Sequence, residues 1–463
     1  MHLRYTAMSK LTHLTVAACL LSAVFAVAAE PPLQIAAFQA DITPPLGSPL
    51  CYGFVEPVRS VTDPLLAKGV VLLGDGPAVV LCALDWVGVD NATHDAWCEA
   101  LARAAGTTPN RVAVHTLHQH DAPGCDIATE AQLAEHGLSG AEFHVTFAQQ
   151  AMVRTAQAVA EAIRKPSTVT HVGHGRGKVE HVASNRRVLG PDGKVKYVRY
   201  SATKDENIRA EPEGTIDPEV KLVSFWNDKQ PLVVLSYYAT HPQSYYGQGD
   251  VTYDFVGMAR ELRAKQLPGV AVVHFNGAAG NVTAGKYNDG SPGNRPALAQ
   301  RVADGMKSAW DHTERVPVQA ADLRWKTTEV ALPLRDRLED ETVLVRNLEN
   351  PKLDVRNRIR AARDLAYARR VKSGYKTPLS CLKLGPVCVL HMPGELFVEY
   401  QLAAQKMQED NLVCMAAYGD LGPGYIGTAI AYTQGGYETG IVSRTSPDVE
   451  AVLMAAIREL LKK

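Results

Sequence analysis

Apolar residues along the chain fall into short continuous runs and longer runs with helical spacing, and the two kinds alternate. Ala67–Leu73 and Ala78–Leu84 are strand-length runs separated by the turn Gly74-Asp75-Gly76-Pro77. Residues 92–105 carry a helical pattern, and Asn91 stands where a cap belongs. Arg111–Thr116 predicts the next strand and Glu142–Ile163 a long amphipathic helix. Strands follow at 220–226 and 232–238, a helix at 255–266, a strand at 270–275 and a helix at 298–310. Residues 339–372 are charged and helical, with a break near Pro351. A strand at 388–392 leads through Pro393-Gly394-Glu395 into a helix, and a last helix spans 448–461. This alternation predicts an α/β layered sandwich, a mixed β-sheet core flanked by helices. Self-similarity at a fixed period is absent, and the 182–217 loop is polar enough to cover a site.

Composition adds bounds. The formal net charge of −1 in 463 residues gives no broad field for nucleic acid or an anionic membrane surface. The N-terminus breaks the pattern: Arg4, Lys10 and His13 precede LTVAACLLSAVFAVAA, which ends in Ala26-Val27-Ala28. A basic start, a short apolar core and a small-residue end predict a signal peptide over residues 1–29, hence a secreted or periplasmic protein. Val16-Ala17-Ala18-Cys19 also fits a lipid-attachment box, a weaker match because the apolar run continues past it. No later stretch is apolar enough to span a bilayer. No linker divides the chain, so residues 30–463 are expected to form one catalytic domain. Seven cysteines remain beyond Cys19, an odd number without a C-x-x-C pair. Some pairing is expected in an exported chain, with Cys82 a plain buried strand residue. Oligomeric state is not legible.

Four predicted strand ends carry chemistry. His115-Thr-Leu-His118-Gln-His120-Asp-Ala-Pro follows the strand at 111–116, and His241 follows the strand at 232–238. Glu395 follows the strand at 388–392, and Asn276-Gly-Ala-Ala-Gly-Asn281-Val-Thr283 is a glycine-rich exit from the strand at 270–275. If strand parity persists, His118 and His120 face one side and His115 the other. In open α/β sheets ligands bind beyond the carboxyl ends of strands. Two imidazoles and a carboxylate are a frequent ligand set for catalytic zinc, with one position left for water. The bland alternatives are hydrogen-bonded loop histidines and a carboxylate opening a helix.

These stretches resemble the neutral/alkaline ceramidase family of zinc-dependent amidases. The resemblance runs from Asp41-Ile-Thr-Pro-Pro-Leu-Gly47 through Leu117–Pro123, Asn185-Arg186-Arg187 and Ala239-Thr-His241-Pro. It continues in Gly277–Thr283, Pro393-Gly-Glu395, and Tyr425, Tyr432 and Tyr437-Glu438. Carried over by position, it implies a zinc ion (Zn2+) on His118, His241, Glu395 and Tyr425. It also implies an acid–base or orienting role for His120, contacts of Arg186 and Tyr437 with the reacting carbonyl or its oxyanion, and Thr283 close to the metal. Asp121-Ala122, Asn281 and Thr283 depart from the family pattern without removing a ligand, and they change the pocket lining. The sequence continues only briefly after Tyr437, so the immunoglobulin-like domain of full-length ceramidases is not expected here. The expected substrate is a small-molecule or lipid-like acyl compound other than ceramide. The expected reaction is hydrolysis of an N-acyl amide by zinc-activated water. The alternatives are an esterase or lactonase on the same site and a non-catalytic lipid- or glycan-binding relative.

Overall fold

The computed structural model describes residue 2 and residues 32–462. Apart from residue 2, the predicted leader, its cleavage signal and Cys19 lie outside the described residues. Among the described residues no helix is long and apolar enough to cross a membrane.

Three mixed sheets carry the fold, as the alternating pattern predicts. The first orders its strands Val112–Thr116, Val79–Leu84, Leu66–Leu73, Leu33–Asp41 and Ser167–Val169. The second orders Ala271–Asn276, Gln230–Tyr238, Glu219–Asn227, His171–Lys178 and Glu314–Pro317. The third orders Arg324–Val330, Thr377–Leu384, Val387–His391 and Leu412–Ala416. Each sheet is antiparallel except for one parallel pair at one end. Each parallel pair is bridged by a helix: Ala92–Ala105 in the first sheet, Asp254–Gln266 in the second and Val398–Lys406 in the third. The fold thus repeats one βαβ unit three times, although no repeat is visible in the sequence.

Strands such as Val79–Leu84, Val112–Thr116 and Val387–His391 are buried along their whole length because both faces are covered. Ile35, Leu72, Leu81 and Val79 of the first sheet meet Phe225, Leu235 and Phe275 of the second and Leu382, Val389 and Leu412 of the third. Each fully buried side chain of this kind contributes about 1.5–3 kcal/mol. Helices cover the outer faces, with Val145–Ala162 on the first sheet and Asn294–Asp311 on the second. Val449–Leu461 lies on the third.

The charged region at 339–372 is two helices, Glu341–Glu349 and Val355–Lys372. Asp340 and Asp354 cap them by accepting from the backbone N–H of Thr342 and Arg356. The pair closes a small cluster around Leu344, Leu348, Ile359 and Leu365, joined by Leu338 and by Leu133 of the helix Ile127–Glu135. Two sequence expectations change. Cys51, Cys82, Cys98, Cys125, Cys381, Cys388 and Cys414 are all free and buried, so no pairing occurs among the described residues. The Asn91 side chain donates to Asp126 instead of capping its helix.

The three parallel edges converge at their carboxyl ends. Thr116 N–H donates to Tyr418 O at 2.9 Å, and Ala417 N–H donates to Asn276 O at 3.0 Å. Every segment leaving these strands therefore starts from the same place.

Candidate metal centre

The strand at 112–116 stops before His118, so strand parity does not extend to the histidines. His118 instead turns at φ 70, with its N–H on Trp86 O at 2.9 Å. A left-handed non-glycine residue costs roughly 1–3 kcal/mol and persists only where its surroundings hold it. Tyr418 is held in the same region, at φ 61, and its ring stacks on His118 with centroids 4.7 Å apart. Sequence reasoning missed Tyr418: it sits in an ordinary apolar stretch, and only its position at the junction of the sheets gives it a role.

His241 leaves the strand at 230–238 and Glu395 leaves the strand at 387–391. The glycine-rich exit at 277–283 ties the two together. Ala279 O accepts from His241 Nδ1 at 2.6 Å, and Gly280 N–H donates to Leu396 O at 2.8 Å. A Cβ on Gly280 would stand 2.2 Å from Glu395 O, so only glycine permits this approach. Gly394, at φ 66, makes the turn into Glu395. Glu395-Leu396 then pairs in parallel with Tyr425-Ile426, which brings Tyr425 alongside.

The result is a buried group of His118, His241 and Glu395 that could hold a metal ion, its ligand atoms within 4.8 Å of one another. Glu395 Oε2 stands 3.2 Å from His118 Nε2 and 3.0 Å from His241 Nε2. His118 Nδ1 faces Val87 O at 2.6 Å, as His241 Nδ1 faces Ala279 O. A carbonyl only accepts, so each Nδ1 carries the proton and each Nε2 presents its lone pair. Three electron-rich atoms thus converge with no proton between them. Burial pushes the His241 pKa down, which disfavours an extra proton as the remedy. A divalent cation satisfies all three, and the backbone carbonyls that orient the two rings are the usual outer partners of metal-bound histidine.

The neighbours add a cationic and phenolic rim. Tyr425 Oη is 3.3 Å from His241 Nε2, and Arg186 Nη1 donates to that phenol at 2.9 Å. The guanidinium sits 5.5–5.8 Å from the rings of Tyr437, Tyr425 and Tyr200. Arg186 Nε lies 3.4 Å from Glu438 Oε1, and Arg187 Nη1 donates to Glu438 Oε2 at 3.0 Å. Burial opposes the Arg186 charge, but Tyr425 and Glu438 outweigh it and raise its pKa. Burial likewise lifts the Tyr425 phenol well above its ordinary value and the Tyr437 phenol to about 12. Tyr437 is 40% exposed, unlike the buried ligand residues, and faces the cavity mouth.

His120 lies beside His118, ring centroids 5.2 Å apart. The Gln243 amide nitrogen contacts His120 Nε2, which leaves Nδ1 buried without a partner. Burial, with His118 and His241 adding to it, holds its pKa well below the ordinary histidine value. Thr283 has another attachment: its hydroxyl donates to Tyr200 O at 3.2 Å. His115 points away, with Nδ1 on Ala417 O at 2.8 Å. The departures are structural in this chain. Asp121 accepts from Gly247 N–H at 2.8 Å, and Asn281 receives the Val398 N–H at 2.9 Å.

A cavity of about 330 Å³ opens over the centre, lined by His118, His120, Glu395, Tyr425 and Tyr437. Val87, Leu421, Tyr52 and Phe54 supply apolar wall.

No family model matches the chain, and no curated protein matches it. Solved structures do. A neutral ceramidase from Pseudomonas aeruginosa aligns with a TM-score of 0.66 at 15% identity, over 93% of this chain and 74% of that one. A ceramidase complexed with C2 aligns with a TM-score of 0.65, at the same identity and over the same shares. The described chain therefore has the fold of the neutral ceramidase structures, and the resemblance read from its motifs is borne out by its architecture.

Proposed function

We propose that residues 30–463 form one zinc-dependent hydrolase domain that cleaves N-acyl amides outside the cytoplasm. The observation that carries the reading is the convergence of two Nε2 lone pairs and one carboxylate oxygen at 3.0 and 3.2 Å. Tetrahedral ligand atoms 2.0–2.1 Å from one zinc stand about 3.3–3.4 Å apart, close to these separations and to the 3.3 Å between Tyr425 Oη and His241 Nε2. His118, His241 and Glu395 would hold the ion, with Tyr425 as the fourth protein group.

A bound zinc polarises a carbonyl and lowers the pKa of a water it holds to about 7. The chain's own residues supply the rest. The Arg186 guanidinium and the Tyr437 hydroxyl face the position of the developing oxyanion, where a single donor is worth roughly 3–4 kcal/mol. His120 keeps a buried Nδ1 without a protein partner, and this nitrogen serves the proton transfer to the leaving nitrogen. Water gives up a proton as the new C–O bond forms, and His120 passes it to the leaving nitrogen as the C–N bond breaks, so the imidazole ends as it began. Thr283 acts by holding the Tyr200 loop under Arg186.

The test is hydrolysis of paired chromogenic N-acyl amides and esters before chelation, after it, and after zinc return. Amide turnover that disappears and returns with zinc supports the reading. Turnover of esters alone moves the activity to an esterase, and one zinc per chain without turnover favours a binding protein.

A further inference from the structure

The helix Val355–Lys372 bears six arginines and one lysine against a single acid, Asp364. Three of these arginines, Arg356, Arg360 and Arg363, line the cavity over the metal centre, as does Arg444. Arg363 and Arg444 are balanced. Arg363 pairs with Asp90 at 3.1 Å and Glu142 at 3.4 Å, and Arg444 pairs with Asp364 at 2.8 Å. Arg356 and Arg360 have no carboxylate partner among the described residues. Arg360 Nη1 reaches only the neutral amide of Asn357 on its own helix. Their spacing of four places both on one face of the helix. The single acid in the cavity lining is Glu395, which the metal reading assigns to the cation.

Resting on the amidase reading, we infer that the substrate of this site carries an anionic group on the arm directed at Arg356 and Arg360. Like charges four apart on a helix disfavour one another, and an anion between them removes that cost. A carboxylate, sulfate or phosphate fits their forked donors. The cavity is at the small end of ligand pockets, so the compound is a short N-acyl anion and not a neutral two-chain lipid.

The test uses two matched amide pairs on the zinc-loaded enzyme. Glutaric acid mono-p-nitroanilide against butyric p-nitroanilide places a carboxylate on the acyl arm. 4-Butyramidobenzoic acid against butyranilide places it on the amine arm. In one pair the carboxylated member is expected to have a kcat/KM at least tenfold above its neutral partner, and that pair identifies the arm. The preference falls about tenfold in R356Q/R360Q, reverses in R356E/R360E, and shrinks as salt rises from 50 to 500 mM. Equal rates within both pairs, or a preference unchanged in R356E/R360E, would overturn the inference while leaving the amidase intact. An enzyme that cleaves neither pair refutes the amidase reading. Calorimetry with glutarate then decides the anion inference by itself, through binding weakened about tenfold or not in R356Q/R360Q.

Discussion

Replacing Arg186 by methionine removes a charge while keeping most of the side-chain volume. The structure sets two separate costs. The first is stability. The guanidinium gives up a 2.9 Å hydrogen bond to Tyr425 and its place among three tyrosine rings at 5.5–5.8 Å. Glu438 is not orphaned, because Arg187 still donates to it at 3.0 Å. The loss is that of one hydrogen bond, partial cation–π contact and the 3.4 Å pairing with Glu438 Oε1, about 2–5 kcal/mol, seen as a Tm lowered by several degrees. The second cost is catalytic. An oxyanion donor removed from a preorganised site lowers kcat/KM about a hundredfold to a thousandfold. Arg186 is not a metal ligand in this account, so R186M retains one metal per chain. The assay is kcat/KM on an acyl p-nitroanilide beside metal content and thermal unfolding, with R186M/E438Q separating charge imbalance from lost contact. R186M within threefold of wild type at full metal occupancy would refute the placement of this guanidinium at the reacting carbonyl.

Other expectations follow from the same geometry. Y425F keeps the ring but removes the hydroxyl 3.3 Å from His241 Nε2, and metal affinity should fall about tenfold to a hundredfold in competition with a chelator. An unchanged affinity would exclude the phenol from the metal's surroundings. T283V deletes the hydroxyl on Tyr200 O and should cost about 1–3 kcal/mol in urea unfolding with kcat within threefold. A large fall in kcat at unchanged stability would place that hydroxyl on the substrate instead. Burial pushes the Asp121 carboxyl up to about 7, against the opposing Gly247 N–H and Arg295 charge. Between its ordinary value near 4 and about 7 the folded state holds the extra proton, so stability declines as pH rises through this window. The urea midpoint should drop from pH 5 to pH 8 in wild type and drop less in D121N; equal slopes would contradict the shift.

Much of this was legible in the sequence because strand ends announce themselves. Runs such as Val112–Val114 and Leu232–Tyr238 are apolar on both faces, and the residues that follow them are polar and reactive. That places His118, His241 and Glu395 at strand exits. Their meeting is another matter. Glu395 lies 154 positions from His241, and nothing periodic links them. The threefold βαβ arrangement is invisible because buried parallel and antiparallel strands carry the same apolar runs. The orienting groups were also out of reach, since Val87 O and Ala279 O are backbone atoms and any residue type supplies them. Strand parity pointed to His118 and His120 as neighbours for a reason that fails here: the strand ends at Thr116, and a left-handed turn brings the rings together. The unpaired arginines at the rim looked like part of an ordinary charged helix until the cavity was found beside them.

The most direct measurement is the metal content, by inductively coupled plasma mass spectrometry, of wild type, H118A and H241A purified side by side. Wild type should carry one divalent metal per chain and each variant less than a tenth of that, with all three folded by circular dichroism. One metal per chain retained in both variants would contradict the assignment of the centre and every step built on it.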